Sequence, residues 1–498
     1  MKTLYLHIGT QKTATTSIQR FCIDNAEALD AQGAAYPLMP FHYDNIGLAR
    51  NGNFLLGRGT PSLASRKKTE DAERVSDLDA ETRRRLERAA REHAASMAES
   101  PDAGAASFEN VALGPRGADW PKWLGIGLDV VAAAFEDHDT VILSDEVIWS
   151  SVVNCRDSFW EPLLAHADEH AYDVRVIVYL RRQDAYLASD YNQHVKAGDL
   201  PYGRMRWKRY LRRATAYRLD YHAPLERIAS HIGRDHIIVR IYDRGILEEH
   251  GGIFADFLDA VSLALDETFA YPDHDFNAVS LTPDLLAVKR AVNASEHFTW
   301  ACRRPSREAA ELCLANLQQR RKRKRLFSTR RAEELLAECA ETNDAIARDY
   351  LHTDAPLFDM TVEDARPWRF GSPRMADVAI AYYCTWNSIQ NCMLDPRLGE
   401  PEAPLVTDGA RELWTGPRPD RTVSRAALDA LADFFCRRQS DIASGAAREL
   451  YAQESVIAFA RALFSGTPLD EALPLVRATA TPIPLRTRLK NLVSGITP

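Results

Sequence analysis

Short apolar runs recur along the first half of the chain, and a stretch with helical spacing follows each of them. Four runs are rich in Val, Ile, Leu and Tyr and apolar nearly throughout, as buried strands of parallel sheets are: residues 3–8, 140–143, 174–180 and 236–242. Helices are predicted at 15–29, after residue 154, at 184–196 and at 252–261. This alternation predicts an α/β fold, a doubly wound parallel sheet flanked by helices, with ligands at the carboxyl ends of the strands.

The pattern changes in two places. Residues 40–120 are rich in Gly, Ala and charged residues, which predicts a helical or irregular insertion whose charges pair along a solvated helix. From residue 281 the chain is predicted to be helical, with a helix start at Thr282 and Pro283 and another helix at 331–350. We therefore predict an α/β domain over 1–356 and a mainly helical C-terminal extension over 357–498.

Composition narrows the class of protein. The 498 residues are 46% hydrophobic and 27% charged, which is typical of a globular protein with a substantial core. The net charge of -8 gives no overall attraction to nucleic acid or to an anionic membrane. Eight scattered cysteines without C-x-x-C pairs indicate reduced thiols rather than a zinc site. The start of the chain has no secretory signal pattern, and no apolar run approaches the roughly 18 residues of a membrane span. We expect a cytoplasmic protein.

The turn after the first apolar run has the features of an anion site. Residues 4–19 read LYLHIGTQKTATTSIQ, in which Gly9 and Lys12 lie in a turn before hydroxyl residues that open a helix. Backbone N–H groups at a helix start lack partners, the helix dipole is positive there, and lysine adds a full charge. A nucleoside triphosphate loop would need glycine directly before the lysine, where this chain has Gln11. The alternative is a threonine-rich turn with a solvated lysine.

The string GTQKTATTS resembles the 5'-phosphosulfate loop of sulfotransferases that use 3'-phosphoadenosine 5'-phosphosulfate (PAPS). The family form is close to KTGTTS, so Ala14 stands where the family has glycine. A positive φ at that alanine would cost on the order of 1 kcal/mol. The resemblance implies that Lys12 neutralises the oxygen between sulfur and the departing phosphate. It also implies that the 5'-phosphate is held by Thr13, Ala14, Thr15, Thr16 and Ser17.

A second stretch, residues 174–193, ends a predicted strand with Arg181 and places Ser189 eight positions later on the next helix. An arginine at a strand tip and a hydroxyl on the following helix can converge on one phosphate. The stretch resembles the second signature of the same family, which implies that Arg181 and Ser189 hold the 3'-phosphate of the cofactor. Arg182 is the one-residue alternative, and by itself a strand, an arginine and a helical serine are a common structural arrangement.

Residues 141–146, VILSDE, put two acids at the end of a strand. Glu146 is the predicted general base, which would take the proton of the acceptor hydroxyl, since family members often have an acid after a comparable strand. Asp145 is the alternative, as is a histidine, although His7 is expected in the core and His42 on a surface loop. Glu146 could instead cap a helix or pair with a loop cation.

Together these residues resemble a bacterial carbohydrate-type sulfotransferase over about residues 1–358. The implied reaction moves the sulfuryl group of PAPS to a hydroxyl or amine of a small-molecule or glycan acceptor. Adenosine 3',5'-bisphosphate is then released, and no metal is expected. Two alternatives stay open: an ATP-dependent phosphotransferase with Mg²⁺ near the acids, and a nucleotide-binding scaffold without turnover. The basic run 320–325 is expected to be a solvated helix end. The alternatives are a nucleic-acid or targeting tract, and a site that attracts PAPS or an anionic acceptor.

Overall fold

The computed structural model describes residues 1–39, 41–42, 51–56, 60–61, 120–198, 201–214, 219–272, 280–281, 283–296 and 325–362, with short pieces between 433 and 482. Most of the predicted insertion, residues 320–324 and most of the predicted C-terminal extension lie outside the described residues. The chain divides into two compact units. The first unit comprises Met1–Tyr186, Thr215–Asn277 and Leu335–Thr361, and the second comprises Leu187–Ala214, Ala278–Glu334 and Val362–Pro498. The second unit therefore takes in stretches that the sequence prediction placed before residue 357.

The first unit is built on a five-stranded sheet in which every neighbouring pair is parallel. Its strands are β1 (Thr3–His7), β2 (Ala34–Ala35), β5 (Thr140–Ser144), β6 (Asp173–Leu180) and β7 (Ile237–Ile241). Their order is β2-β5-β1-β6-β7, so β1 is the central strand. Two further pairs of short strands are antiparallel: β3 (Phe41–His42) with β4 (Thr60–Pro61), and β8 (Glu449–Tyr451) with β9 (Ala478–Pro482).

Both faces of the five-stranded sheet are covered, because successive residues of a strand point to opposite sides. Leu4 and Leu6 of β1 belong to one apolar cluster, and Tyr5 between them belongs to another. Every residue of β1 is buried. Near-continuous burial of this kind explains why the strands read as unbroken apolar runs in the sequence.

The four predicted strands are confirmed to within one residue at each end. The helices that follow them are also present, and the α/β class is confirmed at that level. The helices of the described residues are α1 (Thr15–Asp24), α2 (Ala26–Ala31), α3 (Trp120–Asp137), α4 (Val147–Val153), α5 (Trp160–His170), α6 (Gln183–Ala197), α7 (Trp207–Ala214), α8 (His222–Ile232), α9 (Arg244–Glu249), α10 (Ile253–Ala260), α11 (Pro283–Ala294), α12 (Thr329–Glu338), α13 (Ala340–Tyr350) and α14 (Leu469–Ala472).

The helix predicted at 15–29 is in fact two helices, which meet at Asn25. The Asn25 side chain donates to the carbonyl oxygens of Phe21 and Ala270, at 2.9 Å each, and accepts from the Ala270 N–H at 2.6 Å. Such local bonds from an asparagine compete with helical ones and favour a break. The helix predicted at 331–350 is likewise divided, at Cys339.

In the second unit, α6 and α11 are joined by buried asparagines. Asn293 donates to the carbonyl oxygens of Val195 and Gly203, at 2.9 Å each. Asn192 donates to the Leu281 carbonyl at 2.8 Å and accepts from the Leu281 N–H at 3.0 Å. These paired amides satisfy backbone groups that would otherwise be buried without partners.

None of the helices in the described residues combines the length and the apolar character that crossing a bilayer requires.

Candidate functional site

The loop after β1 is fixed to the neighbouring strand β6. The Ile8 N–H donates to the Ile177 carbonyl at 3.1 Å, and Thr10 donates to the Tyr179 carbonyl from both its N–H, at 3.2 Å, and its hydroxyl, at 2.9 Å. The Thr13 hydroxyl donates to the Thr10 carbonyl and closes the turn. The loop therefore lies at the carboxyl end of the central strand, where open α/β sheets bind ligands.

Three residues of this loop have left-handed backbone conformations: Gly9 at φ 49°, Lys12 at φ 69° and Ala14 at φ 62°. A Cβ at Gly9 would lie 2.8 Å from Thr15 Oγ1. Glycine is therefore favoured at this position both by the left-handed backbone and by the lack of space for a side chain. Lys12 and Ala14 adopt the same region at an energetic cost, since their Cβ atoms crowd the backbone. The strain expected at Ala14, if its φ were positive, is therefore present.

Replacing Ala14 with glycine is expected to stabilise the fold by about 1 kcal/mol, because the left-handed strain is removed. The measurement is urea unfolding. The matched control is Ala167→Gly within α5, where the same substitution removes a favoured helix residue and should destabilise by about 1 kcal/mol. A lower unfolding midpoint for Ala14→Gly than for wild type would contradict the prediction.

Helix α1 begins directly after Ala14, and its first backbone bond runs from the Ile18 N–H to the Ala14 carbonyl at 3.0 Å. The backbone N–H groups before Ile18 therefore take no part in the hydrogen bonds of the helix. The N-cap residue, Ala14, makes no side-chain hydrogen bond to this helix start. Thr15 is 4% exposed, and its hydroxyl is buried without a hydrogen-bond partner in the described residues. A buried, unsatisfied donor at the positive end of a helix is suited to an anionic oxygen.

Arg181 follows β6 and lies against the loop. Its Nη1 donates to the Lys12 carbonyl at 2.9 Å, and its guanidinium carbon is 5.3 Å from the centre of the Tyr242 ring. The Tyr221 hydroxyl donates to the Arg181 carbonyl at 2.9 Å. Burial lowers the pKa of Arg181, although the nearby Tyr242 and Tyr221 oppose this effect. Arginine remains charged in such surroundings, so a cation is held beside the loop.

Arg182, one position later, has different partners. Its Nε and Nη2 donate to the two carboxylate oxygens of Asp184 at 2.8 and 3.1 Å. Its Nη1 donates to the carbonyl oxygens of Asp359 and Thr361 at 2.7 and 2.9 Å. Of the two adjacent arginines, Arg181 contacts the loop and Arg182 ties the chain near residue 360 to the start of α6.

Ser189 lies on α6, six residues after its start, and is partly exposed. It belongs to the second unit, whereas the loop and Arg181 belong to the first. Its role as a phosphate ligand stays a prediction.

The two acids after β5 differ in their surroundings. Asp145 is 1% exposed, its N–H donates to the His7 carbonyl at 3.0 Å, and its Oδ1 accepts from the Val147 N–H at 2.8 Å. Glu146 is less buried, and its Cβ lies 3.7 Å from the position that a Cβ of Gly9 would occupy. The structure thus brings Glu146 to the same side of Gly9 as the Thr15 hydroxyl, while Asp145 fixes the start of α4.

Behind the loop lies a buried polar network centred on Ser144. His7 Nδ1 is 2.9 Å from Ser144 Oγ, and Gln19 donates to the same hydroxyl at 3.2 Å. Burial lowers the pKa of His7 to about 3, so the imidazole is neutral at physiological pH. His7 is therefore a core group, as the sequence indicated. The side chain of His42 lies outside the described residues.

Asn51 is a positioning residue that the sequence prediction missed. Its side chain donates to the Ile142 carbonyl at 3.0 Å and accepts from the Ser144 N–H at 2.7 Å. These bonds give β5 hydrogen-bond partners beyond the residues that pair with β2. The adjacent Gly52 is a turn signal, but the contact with a strand about 90 residues later could not be inferred from the sequence.

Away from the loop, His222, Glu226 and Asp349 place their ligand atoms within 4.8 Å of one another. Arg234 donates to both oxygens of Glu226, at 3.0 and 2.6 Å, and the Tyr350 hydroxyl donates to Glu226 Oε1 at 2.7 Å. Because these donors already satisfy the Glu226 carboxylate, we interpret the cluster as an ion-pair network that joins α8 to α13.

Glu226→Gln is expected to lower the unfolding midpoint more near pH 7 than near pH 3. Hydrogen bonds from Arg234 first, and from Tyr350, lower the pKa of Glu226 from its ordinary 4.5. When folding lowers the pKa of a carboxyl group, its ionised form stabilises the fold at pH values above the unfolded-state pKa. This stabilisation is lost as the pH falls through the folded-state pKa. Urea unfolding at both pH values is the measurement, with exposed Glu267→Gln as control. A difference from wild type that is the same at both pH values would contradict the prediction.

Comparisons with known proteins give little further information. No family model matches the chain. A protein from Archaeoglobus fulgidus, described only as an uncharacterized protein, is 35% identical over 97 residues, or 20% of this chain. The match spans 24% of that protein's length. No solved structure matches the chain. The functional interpretation therefore depends on the residues and geometry of the site.

Proposed function

We propose that the protein is a sulfotransferase that moves the sulfuryl group of PAPS to a hydroxyl or amine of an acceptor, with a carbohydrate as the expected acceptor. The observation behind this proposal is the buried hydroxyl of Thr15, unsatisfied at the start of α1. The backbone carbonyl of Lys12, in the same loop, accepts from the Arg181 guanidinium. An unpaired buried hydroxyl costs about 1–3 kcal/mol, which a phosphate oxygen at this position would offset.

The topology supports a P-loop-type arrangement. From β1 the chain runs to β2 on one side of the sheet, and later through β5 to β6 on the other side. The crossover from β1 and the crossover from its neighbour β5 therefore lead to opposite sides of the sheet, and nucleotides bind at such switch points in open α/β sheets. The loop between β1 and α1 lies at this point, as a phosphate-binding loop would.

The conformation of Ala14 supports the resemblance at the position where this chain departs from the family form. Its φ of 62° and ψ of 17° lie in the left-handed region that glycine adopts without strain. A glycine in the family form KTGTTS is therefore what this backbone favours. Retaining a strained alanine at a helix start is typical of a functional loop rather than of an ordinary turn.

Arg181 is the proposed ligand of the 3'-phosphate. Its bond to the Lys12 carbonyl uses one of the five N–H donors of the guanidinium group, so the other donors can bind a phosphate. A 3'-phosphate distinguishes PAPS from ATP, and a second cation beside the loop favours the doubly phosphorylated nucleotide. Ser189 is proposed as its companion.

The proposed chemistry is an in-line transfer. The acceptor oxygen attacks sulfur, the bond from sulfur to the phosphate oxygen breaks, and adenosine 3',5'-bisphosphate leaves. Lys12 would neutralise the charge that develops on the leaving oxygen, and the start of α1 would hold the 5'-phosphate. Glu146 would take the acceptor proton, because Asp145 is buried and already accepts from the Val147 N–H, and His7 is a buried neutral group. Positioning and electrostatics then supply most of the rate enhancement.

Calorimetric titration of the full-length protein with adenosine 3',5'-bisphosphate and with ATP·Mg²⁺ tests the proposal. We expect the bisphosphate to bind at least about tenfold more tightly than ATP·Mg²⁺, since a charge-assisted contact contributes about 1.5–3 kcal/mol. Binding of ATP·Mg²⁺ without affinity for the bisphosphate would instead support a phosphotransferase. Transfer of labelled sulfate to any acceptor would exclude a scaffold without turnover.

A further inference from the structure

A second feature of the chain is a dense cationic segment in the second unit. Residues 204–213 read RMRWKRYLRR, in which six of ten residues are cations and none is acidic. The whole chain has a net charge of -8, so this positive charge is strictly local. A run of this composition is either a solvated helix face or a binding site for a polyanion.

The structure separates the cations of this segment from its apolar residues. The segment ends in α7, which buries Tyr210, Leu211 and Ala214. The Trp207 ring is half-buried and packs 5.2 Å from Tyr191 and 5.8 Å from Tyr210. All six cations are exposed, and we call them the basic face: Arg204, Arg206, Lys208, Arg209, Arg212 and Arg213.

Tertiary packing brings the end of another basic run to this helix. The ring of Phe327 lies 4.9 Å from that of Trp207, edge to face. Arg325, two residues before Phe327, is the last residue of the run RRKRKR at 320–325. The rest of that run lies outside the described residues. Phe327, which follows one basic run, therefore packs against Trp207 of a cationic segment more than 100 residues earlier in the sequence.

We propose that the basic face binds an anionic polysaccharide, and that this polymer is an acceptor or product of the enzyme. The choice of a saccharide rests on the proposed sulfotransferase function. Five of the six cations are arginines, whose planar guanidinium groups match sulfate and carboxylate groups in a two-point geometry. Four of the cations, Lys208, Arg209, Arg212 and Arg213, lie on one face of α7, and Arg204 and Arg206 precede the helix. Such an extended row suits a linear polymer better than a small anion.

Other partners fit the basic face less well. Membrane helices need an exposed apolar face, whereas every exposed residue of α7 is a cation. Single-stranded nucleic acid is held by exposed aromatic rings, but Tyr210 is buried and Trp207 packs against Tyr191 and Phe327. Duplex DNA is also a dense polyanion, with one charge per roughly 1.7 Å, so it is a competing probe in the experiment below.

Binding of a heparin decasaccharide to the full-length protein, followed by fluorescence anisotropy at increasing salt, tests the proposal. We expect salt-sensitive binding that becomes about tenfold weaker in Lys208→Ser/Arg209→Ser, since two exposed charge contacts are lost. The matched control, Arg244→Ser/Arg156→Ser, removes two exposed cations of the first unit and should bind as wild type does. A DNA duplex and vesicles with anionic lipid are the competing probes.

Each outcome decides the proposal. Weaker binding in the basic-face variant alone supports it. An equal loss of affinity in both variants, or no binding at low salt, would show that the basic face is not the binding site. Tighter binding of duplex DNA or of vesicles would show that the ligand is not a saccharide. Adenosine 3',5'-bisphosphate titrated into the same samples separates the two proposals. If it fails to bind while the decasaccharide binds, the proposed function is wrong and the basic face remains a saccharide-binding surface.

Discussion

Replacing Glu146 with glutamine is expected to lower the turnover number by about 100-fold while the affinity for adenosine 3',5'-bisphosphate stays unchanged. Glutamine keeps the size of the side chain but cannot accept the acceptor proton. Glu146 lies on the same side of Gly9 as the Thr15 hydroxyl, beside the proposed phosphate site. The measurement is the release of the bisphosphate from PAPS with an acceptor that the wild-type protein sulfates.

Two control variants separate a chemical effect of Glu146→Gln from a structural one. Glu161→Gln changes an exposed acid in the first turn of α5 and should leave turnover unchanged. Asp145→Ala removes the acceptor that the Val147 N–H uses at the start of α4, so it should lower the stability. Near-normal turnover in Glu146→Gln would mean that another group is the general base.

Arg181→Ala is expected to weaken the binding of adenosine 3',5'-bisphosphate by about 2 kcal/mol, or about 30-fold in Kd, because a charged two-point ligand is lost. Arg181→Lys keeps the charge but loses the planar geometry, so it should recover part of the affinity. Calorimetric titration gives both constants. Adenosine 5'-phosphosulfate, which lacks the 3'-phosphate, should lose much less affinity in the same variants.

The control for Arg181 is on the same strand. Arg175 of β6 pairs with Asp173 at 3.1 Å near the opposite end of the strand, and Arg175→Ala should bind both nucleotides as wild type does. Thermal unfolding of each variant shows whether loss of the bond to the Lys12 carbonyl affects the fold. An unchanged Kd for the bisphosphate in Arg181→Ala would mean that this arginine is not the 3'-phosphate ligand.

Much of the first unit could be predicted from the sequence, because its strands are buried on both faces and read as apolar runs. The break at Asn25 could not be predicted, since it depends on bonds to Ala270, 245 residues later in the chain. The two-residue strand β2 was also missed, since two alanines carry no strand signal. The short helix α4 follows the acids of β5 and has too few residues for a clear period.

The candidate site was predictable in part. Gly9, Lys12 and the hydroxyl residues of α1 are neighbours in the chain, so their spacing was enough to predict a shared loop. The spacing of residues in the sequence did not show which of Arg181 and Arg182 contacts the loop after β1. That difference depends on the Lys12 carbonyl for one arginine and on Asp184 and the chain near residue 360 for the other.

The sequence by itself determined four strands of the parallel sheet, the loop after β1 and the chemical groups at the strand ends, because these follow from local periodicity and from the order of residues. Only the tertiary structure decided that Glu146 lies beside Gly9, that Asn51 extends β5, and that Phe327, which follows one basic run, packs against Trp207 of another. Those outcomes are set by hydrogen bonds and packing between segments that are far apart in the chain, and such contacts leave no periodic signal in the sequence.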